Sequence, residues 1–103
     1  MVSTSKRSKE RCPTHPGALL RDIVLPALPV GKSELARALG ISRQSLYDIL
    51  SEKQPVSPAM AVRFGLYFDQ TPASWLNMQS AYDLWHAERS IDVSKLRPLS
   101  QAG

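Results

Sequence analysis

Cysteine is almost absent from the sequence, since Cys12 is the only one among 103 residues. A single thiol excludes an internal disulfide and is typical of proteins from a reducing compartment. A structural zinc site needs four ligands, and the only residue of ligand type near Cys12 is His15, so the sequence predicts no bound metal and no cofactor. No apolar run approaches the ~20 residues of a membrane span, and the first residues lack the apolar stretch of a secretory signal. We therefore expect a cytoplasmic protein that makes no membrane contact.

The residue patterns of common catalytic sites are also lacking. His15 and His86 lie at opposite ends of the region expected to be ordered, and no Ser or Cys has a nearby His that the sequence identifies as its partner for nucleophilic catalysis. No Gly-rich phosphate loop is present. Asp48, Asp69 and Asp83 are scattered, and we interpret them as residues of solvated helix faces. The sequence therefore predicts neither an enzyme nor a small-molecule substrate.

Length and charge indicate one small basic domain. With 103 residues and 43% hydrophobic content, the chain can bury one modest core. We expect a flexible basic tail over residues 1–14, an ordered domain over 15–90 and a flexible C-terminal tail over 91–103. The net charge is +4, and a basic balance favours nucleic acid as a partner, although many basic proteins bind none. The basic side chains of the N-terminal tail either contact phosphates or only keep the tail soluble (Lys6, Arg7, Lys9 and Arg11).

The placement of apolar and capping residues predicts an all-α fold of five helices. The expected helices cover about 17–24, 32–39 and 42–50, a fourth begins at Ser57-Pro58, and a long fifth helix runs over 72–89 after Thr71. Pro26 and Pro29 are expected to end the first helix, because proline lacks an N–H and disfavours helix in the residue before it.

Residues 33–50 read S-E-L-A-R-A-L-G-I-S-R-Q-S-L-Y-D-I-L, which predicts two short helices joined at a tight turn. Gly40 can adopt the left-handed conformation that ends the first helix, and the hydroxyl of Ser42 can cap the second. The apolar side consists of Leu35, Ala36, Leu39, Ile41, Leu46 and Leu50. The outward side of the second helix carries Arg43, Gln44, Ser45, Tyr47 and Asp48, which include groups that suit base edges and phosphates. This layout is that of a DNA-reading helix-turn-helix, with an ordinary helical hairpin as the alternative.

Large side chains recur along one stripe of the predicted fifth helix. Trp75, Met78, Tyr82 and Trp85 follow one another at spacings of three, four and three residues. We expect Trp75 to pack inside the chain. Met78, Tyr82 and Trp85 are predicted to form the seam of a two-fold homodimer, because the end of this helix is expected to extend past the small domain. The alternative is that the whole stripe packs inside one chain.

Four segments give a more specific joint pattern. They read H-P-G-x-L-L-R at 15–21, E-L-A-R-A-L-G-I-S-R-Q-S-L-Y-D-I-L at 34–50, V-S-P-A-M-A-V-R-F-G-L-Y-F at 56–68 and T-P-A-S-W-L-N-M-Q-S-A-Y-D-L-W at 71–85. Together they resemble the HigA family of antitoxins, within the lambda-repressor-like (XRE) group of DNA-binding domains. The resemblance implies a five-helix domain that dimerises, binds a palindromic operator to repress its own operon in the bacterial cytoplasm, and neutralises a RelE-like, mRNA-cleaving toxin of the HigB type. A stand-alone transcriptional regulator without a toxin is the alternative.

The resemblance also implies roles for particular residues. The positions that match the family's DNA contacts are Ser42, Arg43, Gln44, Ser45 and Tyr47, with Lys32 and Lys53 as phosphate partners. Two departures matter: Gly31 stands where the family often has a capping Ser or Thr, and Glu52 stands where it often has Gly. A carboxylate at Glu52 would repel phosphate, and a residue with a side chain resists a left-handed turn. We therefore expect a modest operator affinity.

Overall fold

Helices account for most of residues 11–102, the part of the chain that the computed structural model describes. Helix α1 covers 16–27 in three pieces, Pro16–Leu19, Leu20–Val24 and Leu25–Ala27, and is followed by α2 (Lys32–Leu39), α3 (Arg43–Leu50), α4 (Pro58–Phe68), α5 (Pro72–Ser90) and a short turn of helix, α6 (Leu99–Ala102). The described residues contain no strand, so the predicted all-α class is confirmed, with five principal helices and a long α5. Most of the predicted basic tail lies outside the described residues, and α6 lies in the segment predicted to be the C-terminal tail.

The capping signals in the sequence place the helix starts. The hydroxyl of Ser57 accepts a hydrogen bond from the backbone N–H of Met60 at 3.2 Å, as a side chain before a helix should. At the start of α1 the cap is a ring nitrogen, because His15 Nδ1 accepts from the N–H of Gly17 at 2.8 Å. Pro16, Pro58 and Pro72 each occupy the first helical position, where the missing N–H costs nothing.

The predicted end of α1 was wrong. Leu20–Val24 form a π-helical turn, in which the N–H of Leu25 donates to the carbonyl of Leu20, five residues back instead of four. Pro26 therefore falls in the first turn of a fresh α-helical piece, where proline is tolerated. The helix continues through Pro26 to Ala27, because the widened turn has already interrupted the regular ladder of hydrogen bonds.

The core is built around Phe64 of α4, which is fully buried. Its ring meets the ring of Trp75 at 5.0 Å and that of Phe68 at 6.1 Å between centroids. Trp75 is 3% exposed, which confirms the prediction that it packs inside the chain. The other buried hydrophobic residues are Leu20, Leu35, Ala36, Leu39, Leu46, Ile49, Leu50, Val56, Met60 and Ala61. All five principal helices contribute to this cluster, which fixes α3 against the rest of the domain. Within the described residues, no helix has both the length and the apolar composition needed to span a membrane.

Candidate nucleic-acid interface

The turn between α2 and α3 is held by its own backbone and by one long side chain. Gly40 adopts φ 73°, the left-handed conformation that the sequence predicted. The N–H of Gly40 donates to the carbonyl of Arg37 at 3.1 Å, and the N–H of Ile41 donates to that of Ala36 at 3.0 Å. From α4, Arg63 donates to the carbonyl of Leu39 at 2.8 Å. These bonds satisfy the free carbonyls at the end of α2 and set its angle to α3.

One side of α3 is buried and close to the backbone of α1. Leu46 and Ile49 are fully buried, and Leu50 is 4% exposed. The first turn of α1 lies so near α3 that a Cβ atom at Gly17 would be 1.7 Å from the carbonyl oxygen of Ile49. Only glycine permits this approach. The H-P-G segment therefore positions α3, which the residue pattern alone did not reveal.

The opposite side of α3 faces solvent, and the predicted DNA-contacting residues lie there. Arg43, Gln44 and Tyr47 are exposed. A guanidinium nitrogen of Arg43 lies 3.4 Å from the hydroxyl of Ser33, so Arg43 leans across the N-terminal end of α2. Gln44 Nε2 donates to Asp48 Oδ1 at 2.8 Å. The long side chains of this face are therefore partly oriented before any ligand binds.

The two predicted serines cap the start of α3. Ser42 accepts from the N–H of Ser45 at 3.0 Å, and its hydroxyl donates to the hydroxyl of Ser45 at the same distance. This pair leaves the amino end of α3 at the surface, where free N–H groups and the helix dipole favour an anion. The arrangement suits a DNA phosphate.

The two predicted phosphate-binding lysines lie near the two ends of the turn and helix, Lys32 at the start of α2 and Lys53 just after α3. Lys32 Nζ sits 5.7 Å from the centroid of the Tyr47 ring, within the range of a cation–π contact. Lys53 follows α3, and its backbone N–H donates to the carbonyl of Asp48 at 2.8 Å. Gly31 precedes α2 without a side-chain cap, as the sequence predicted. Lys32 and Tyr47 share a cleft with Arg21 of α1, a residue to which the sequence analysis gave no role.

Arg21 also changes the interpretation of Glu52. Glu52 has φ 66°, so it adopts the left-handed turn in spite of its side chain. Arg21 Nη1 lies 3.2 Å from Glu52 Oε2 and donates to the carbonyl of Leu50 at 2.9 Å. The pKa of Arg21 is raised above its ordinary value, first by its hydrogen bond to Asp22 and next by that to Glu52. Arg21 also donates to both carboxylate oxygens of Asp22, at 2.8 and 3.0 Å, so it is shared by two carboxylates and offsets Glu52 only in part, while it caps the end of α3.

Known proteins resemble the chain over most of its length, although no protein-family model matches it. It is 36% identical over 85 residues to the HTH-type transcriptional regulator YddM of Escherichia coli (strain K12), a match that covers 82% of this chain and 89% of YddM. The structure of the antitoxin GraA matches with a TM-score of 0.80 and 36% identity, covering 86% of this chain and 99% of GraA. Pseudomonas aeruginosa antitoxin HigA, solved with the higBA promoter, matches with a TM-score of 0.74 and 37% identity, covering 84% of this chain and 98% of that one. The chain belongs to the HigA family of antitoxins. The resemblance drawn from its four sequence segments is thereby confirmed.

In this member of the HigA family, the predicted dimer stripe on α5 is partly covered by the chain itself. Met78, Tyr82 and Trp85 are half-buried. The ring of Tyr82 meets that of His15 at 4.8 Å and that of His86 at 4.4 Å, and the guanidinium of Arg89 lies 3.7 Å over the ring of Trp85. The segment before α1 thus packs against the C-terminal half of α5.

The same packing brings the two histidines close to one tyrosine. His15 and His86 lie far apart in the sequence, but the ring of each contacts the ring of Tyr82. Cys12 Sγ lies 3.6 Å from His86 Nε2, a contact across 74 positions of the chain that the sequence did not indicate. Burial lowers the pKa of His15 below its ordinary value and raises that of Tyr82. Sequence separation was a poor guide here because α5 runs back past the start of α1.

Proposed function

We propose that this HigA-family chain binds its own operator as a homodimer and represses its operon, with α3 of each protomer in a major groove. The proposal rests on the observation that one side of α3 is buried in the core and the opposite side is exposed. Leu46, Ile49 and Leu50 anchor one side in the core, while Arg43 and Gln44 extend from the other. GraA has been solved in complex with its operator and the Pseudomonas HigA with its promoter, which supports the same use of this chain.

Each side chain of the interface has a chemically suitable target. Arg43 has the forked donor set that pairs with guanine O6 and N7, and Gln44 has the donor and acceptor that pair with adenine. Ser42 and Ser45 present the amino end of α3 to a phosphate. Lys32 and Lys53, with Tyr47 of α3, contact the flanking backbone and set the register of the helix.

Dimerisation explains both the affinity for DNA and the symmetry of the operator. One recognition helix touches only a few base pairs, so proteins of this design pair two helices across half-sites ~34 Å apart or a multiple of that distance. A palindromic operator follows from the two-fold axis. We place the seam at Met78, Tyr82 and Trp85, and the exposed Leu84 (59%) and Ile91 (61%) extend the apolar surface of that end of the chain.

The second proposed activity is neutralisation of a RelE-like, mRNA-cleaving toxin of the HigB type. Membership of an antitoxin family supports it. A stand-alone regulator is the competing function, favoured by the similarity to YddM, which is named as a transcriptional regulator. Co-expression with the product of the neighbouring gene separates the two: co-purification of a small ribonuclease whose activity this chain suppresses supports the antitoxin, and a neighbour that neither binds nor cleaves mRNA supports the regulator.

DNA binding is tested by titrating the protein onto its own upstream region in a fluorescence anisotropy assay. The double variant Arg43→Ala/Gln44→Ala should lose at least about tenfold in affinity, because each good base contact contributes about 1–3 kcal/mol. The matched control Gln70→Ala/Arg97→Ala removes the same side-chain types from exposed positions away from α3 and should bind normally. Equal affinity of both double variants would refute the assignment.

Salt dependence tests the phosphate contacts separately. The logarithm of the binding constant should fall with the logarithm of salt concentration by about 0.9 per contact, so Lys53→Ala should reduce the slope by about one. A flat dependence for the unmodified protein would rule out an electrostatic interface.

A further inference from the structure

The exposed face of α3 contains an acidic residue at its centre. Asp48 is half-buried and lies one helical turn after Gln44, so the two side chains share a face. Gln44 Nε2 donates to Asp48 Oδ1 at 2.8 Å. A carboxylate on a surface that meets phosphates is electrostatically unfavourable, unless a hydrogen-bond donor of the partner offsets it.

The contact with Asp48 fixes which end of the Gln44 amide is presented. An ionised carboxylate only accepts hydrogen bonds, so the NH₂ group of Gln44 must point toward Asp48 and the carbonyl oxygen away from it. One amide N–H of Gln44 remains available. Among the described residues the structure shows no partner for Asp48 Oδ2, the second carboxylate oxygen.

The pair therefore presents two acceptors and one donor in a fixed order. Gln44 Oε1 and the remaining N–H match the N6 donor and N7 acceptor of adenine, and Asp48 Oδ2 adds an acceptor one helical turn further along α3. In the major groove, exocyclic amino groups are the only base donors, and cytosine N4 is the usual partner of an acidic side chain. Guanine presents O6 and N7, both acceptors, which the carboxylate would repel.

We propose that Asp48 is a specificity-determining residue of the DNA interface: it positions the Gln44 amide for adenine and selects cytosine at a nearby base pair of each half-site. This inference rests on the proposed operator binding. Asp48 is distinct from the residues that supply affinity, because its negative charge reduces binding to DNA in general and raises it only where an amino group lies opposite.

The experiment is selection of full-length protein on a randomised double-stranded DNA library, followed by sequencing and by anisotropy titration of the enriched site. The variant is Asp48→Asn, which keeps the shape but replaces an acceptor oxygen by a donor group. The matched control is Glu88→Gln on α5, which makes the same change in net charge at an exposed position far from α3 in the chain. Thermal unfolding of each variant verifies that it is folded.

The unmodified protein and Glu88→Gln should enrich the same site, with cytosine favoured over guanine at one position of each half-site by about tenfold or more. Asp48→Asn should lose that preference. It should also show a weaker preference for adenine at the base that Gln44 contacts, while it binds random DNA at least as tightly as the control. If Asp48→Asn enriches the same bases as the unmodified protein, the inference is refuted and the operator binding stands. If the unmodified protein enriches no sequence, the proposed operator binding fails as well.

Discussion

Replacing Gly17 with alanine tests whether the contact between α1 and α3 requires glycine. The added Cβ would lie 1.7 Å from the carbonyl oxygen of Ile49 and 2.8 Å from its carbon, whereas non-bonded heavy atoms pack best at roughly 3.5–4 Å. The obstacle is backbone, so no side-chain rotation relieves it, and α1 and α3 must separate. An extra methyl group in a packed core costs about 1–3 kcal/mol, and we expect the upper end of that range here.

Part of this cost is offset in the unfolded chain. Alanine has less backbone freedom than glycine, which contributes about 0.4–1 kcal/mol to stability. The net loss is then about 2 kcal/mol, which corresponds to a fall of roughly 8–16 °C in Tm for a domain of this size. Circular dichroism of the helical signal during heating measures it.

Gly31→Ser is the matched control. A Cβ at Gly31 meets nothing within 4 Å, its φ is −86°, and a hydroxyl there can cap α2. The Tm of this variant should equal or slightly exceed that of the unmodified protein. A Gly17→Ala variant whose Tm lies within about 2 °C of the unmodified protein would refute the reasoning, because α1 would then be free to move away from α3 at little cost.

Two other predictions concern α5 and the aromatic cluster. Burial lowers the pKa of His15 in the folded chain below its ordinary 6.5, so its contribution to stability is complete above that pH and declines as the pH falls from 6.5 toward the folded-state pKa. The variant His15→Asn keeps a capping acceptor, and its urea unfolding should show a weaker loss of stability in that pH window than the unmodified protein. Identical pH profiles of the two proteins would contradict the assignment. Trp85→Ala should give monomers by light scattering and a much weaker operator complex, since the two half-sites would no longer be bound by one unit; a persistent dimer would place the seam elsewhere.

The sequence predicted those parts of the fold whose signals are local. Gly40, Ser42 and Ser57 lie at helix ends and act within their own turn, so their roles could be derived from residue type and spacing. Pro26 was misleading because its effect depends on the hydrogen-bond register of the preceding turn. Whether a π-helical turn forms depends on that register and on the packing of the helix, and no clear residue pattern indicates it.

In the candidate site, too, the local features could be predicted from the sequence and the long-range contacts could not. The exposure of Arg43 and Gln44 follows from helical periodicity, which fixes the buried side of α3. The pairing of Gln44 with Asp48 could also have been found, because residues four apart on a helix are neighbours and an amide next to a carboxylate is a standard pair. The role of Arg21 could not have been predicted from the sequence, since its side chain joins α1 to the end of α3 across 29 positions of the chain.

Arg21 also explains how the chain accommodates Glu52 in a family that often has glycine there. The left-handed conformation of Glu52 costs about 1–2 kcal/mol, and an exposed ion pair returns only ~0–1 kcal/mol, so the ion pair alone does not account for the turn. The hydrogen bond from Arg21 to the carbonyl of Leu50 adds a charge-assisted cap to the end of α3. Because the carboxylates of Asp22 and Glu52 together orient the guanidinium for that cap, the residue that was expected to oppose DNA binding also helps to hold α3 in place.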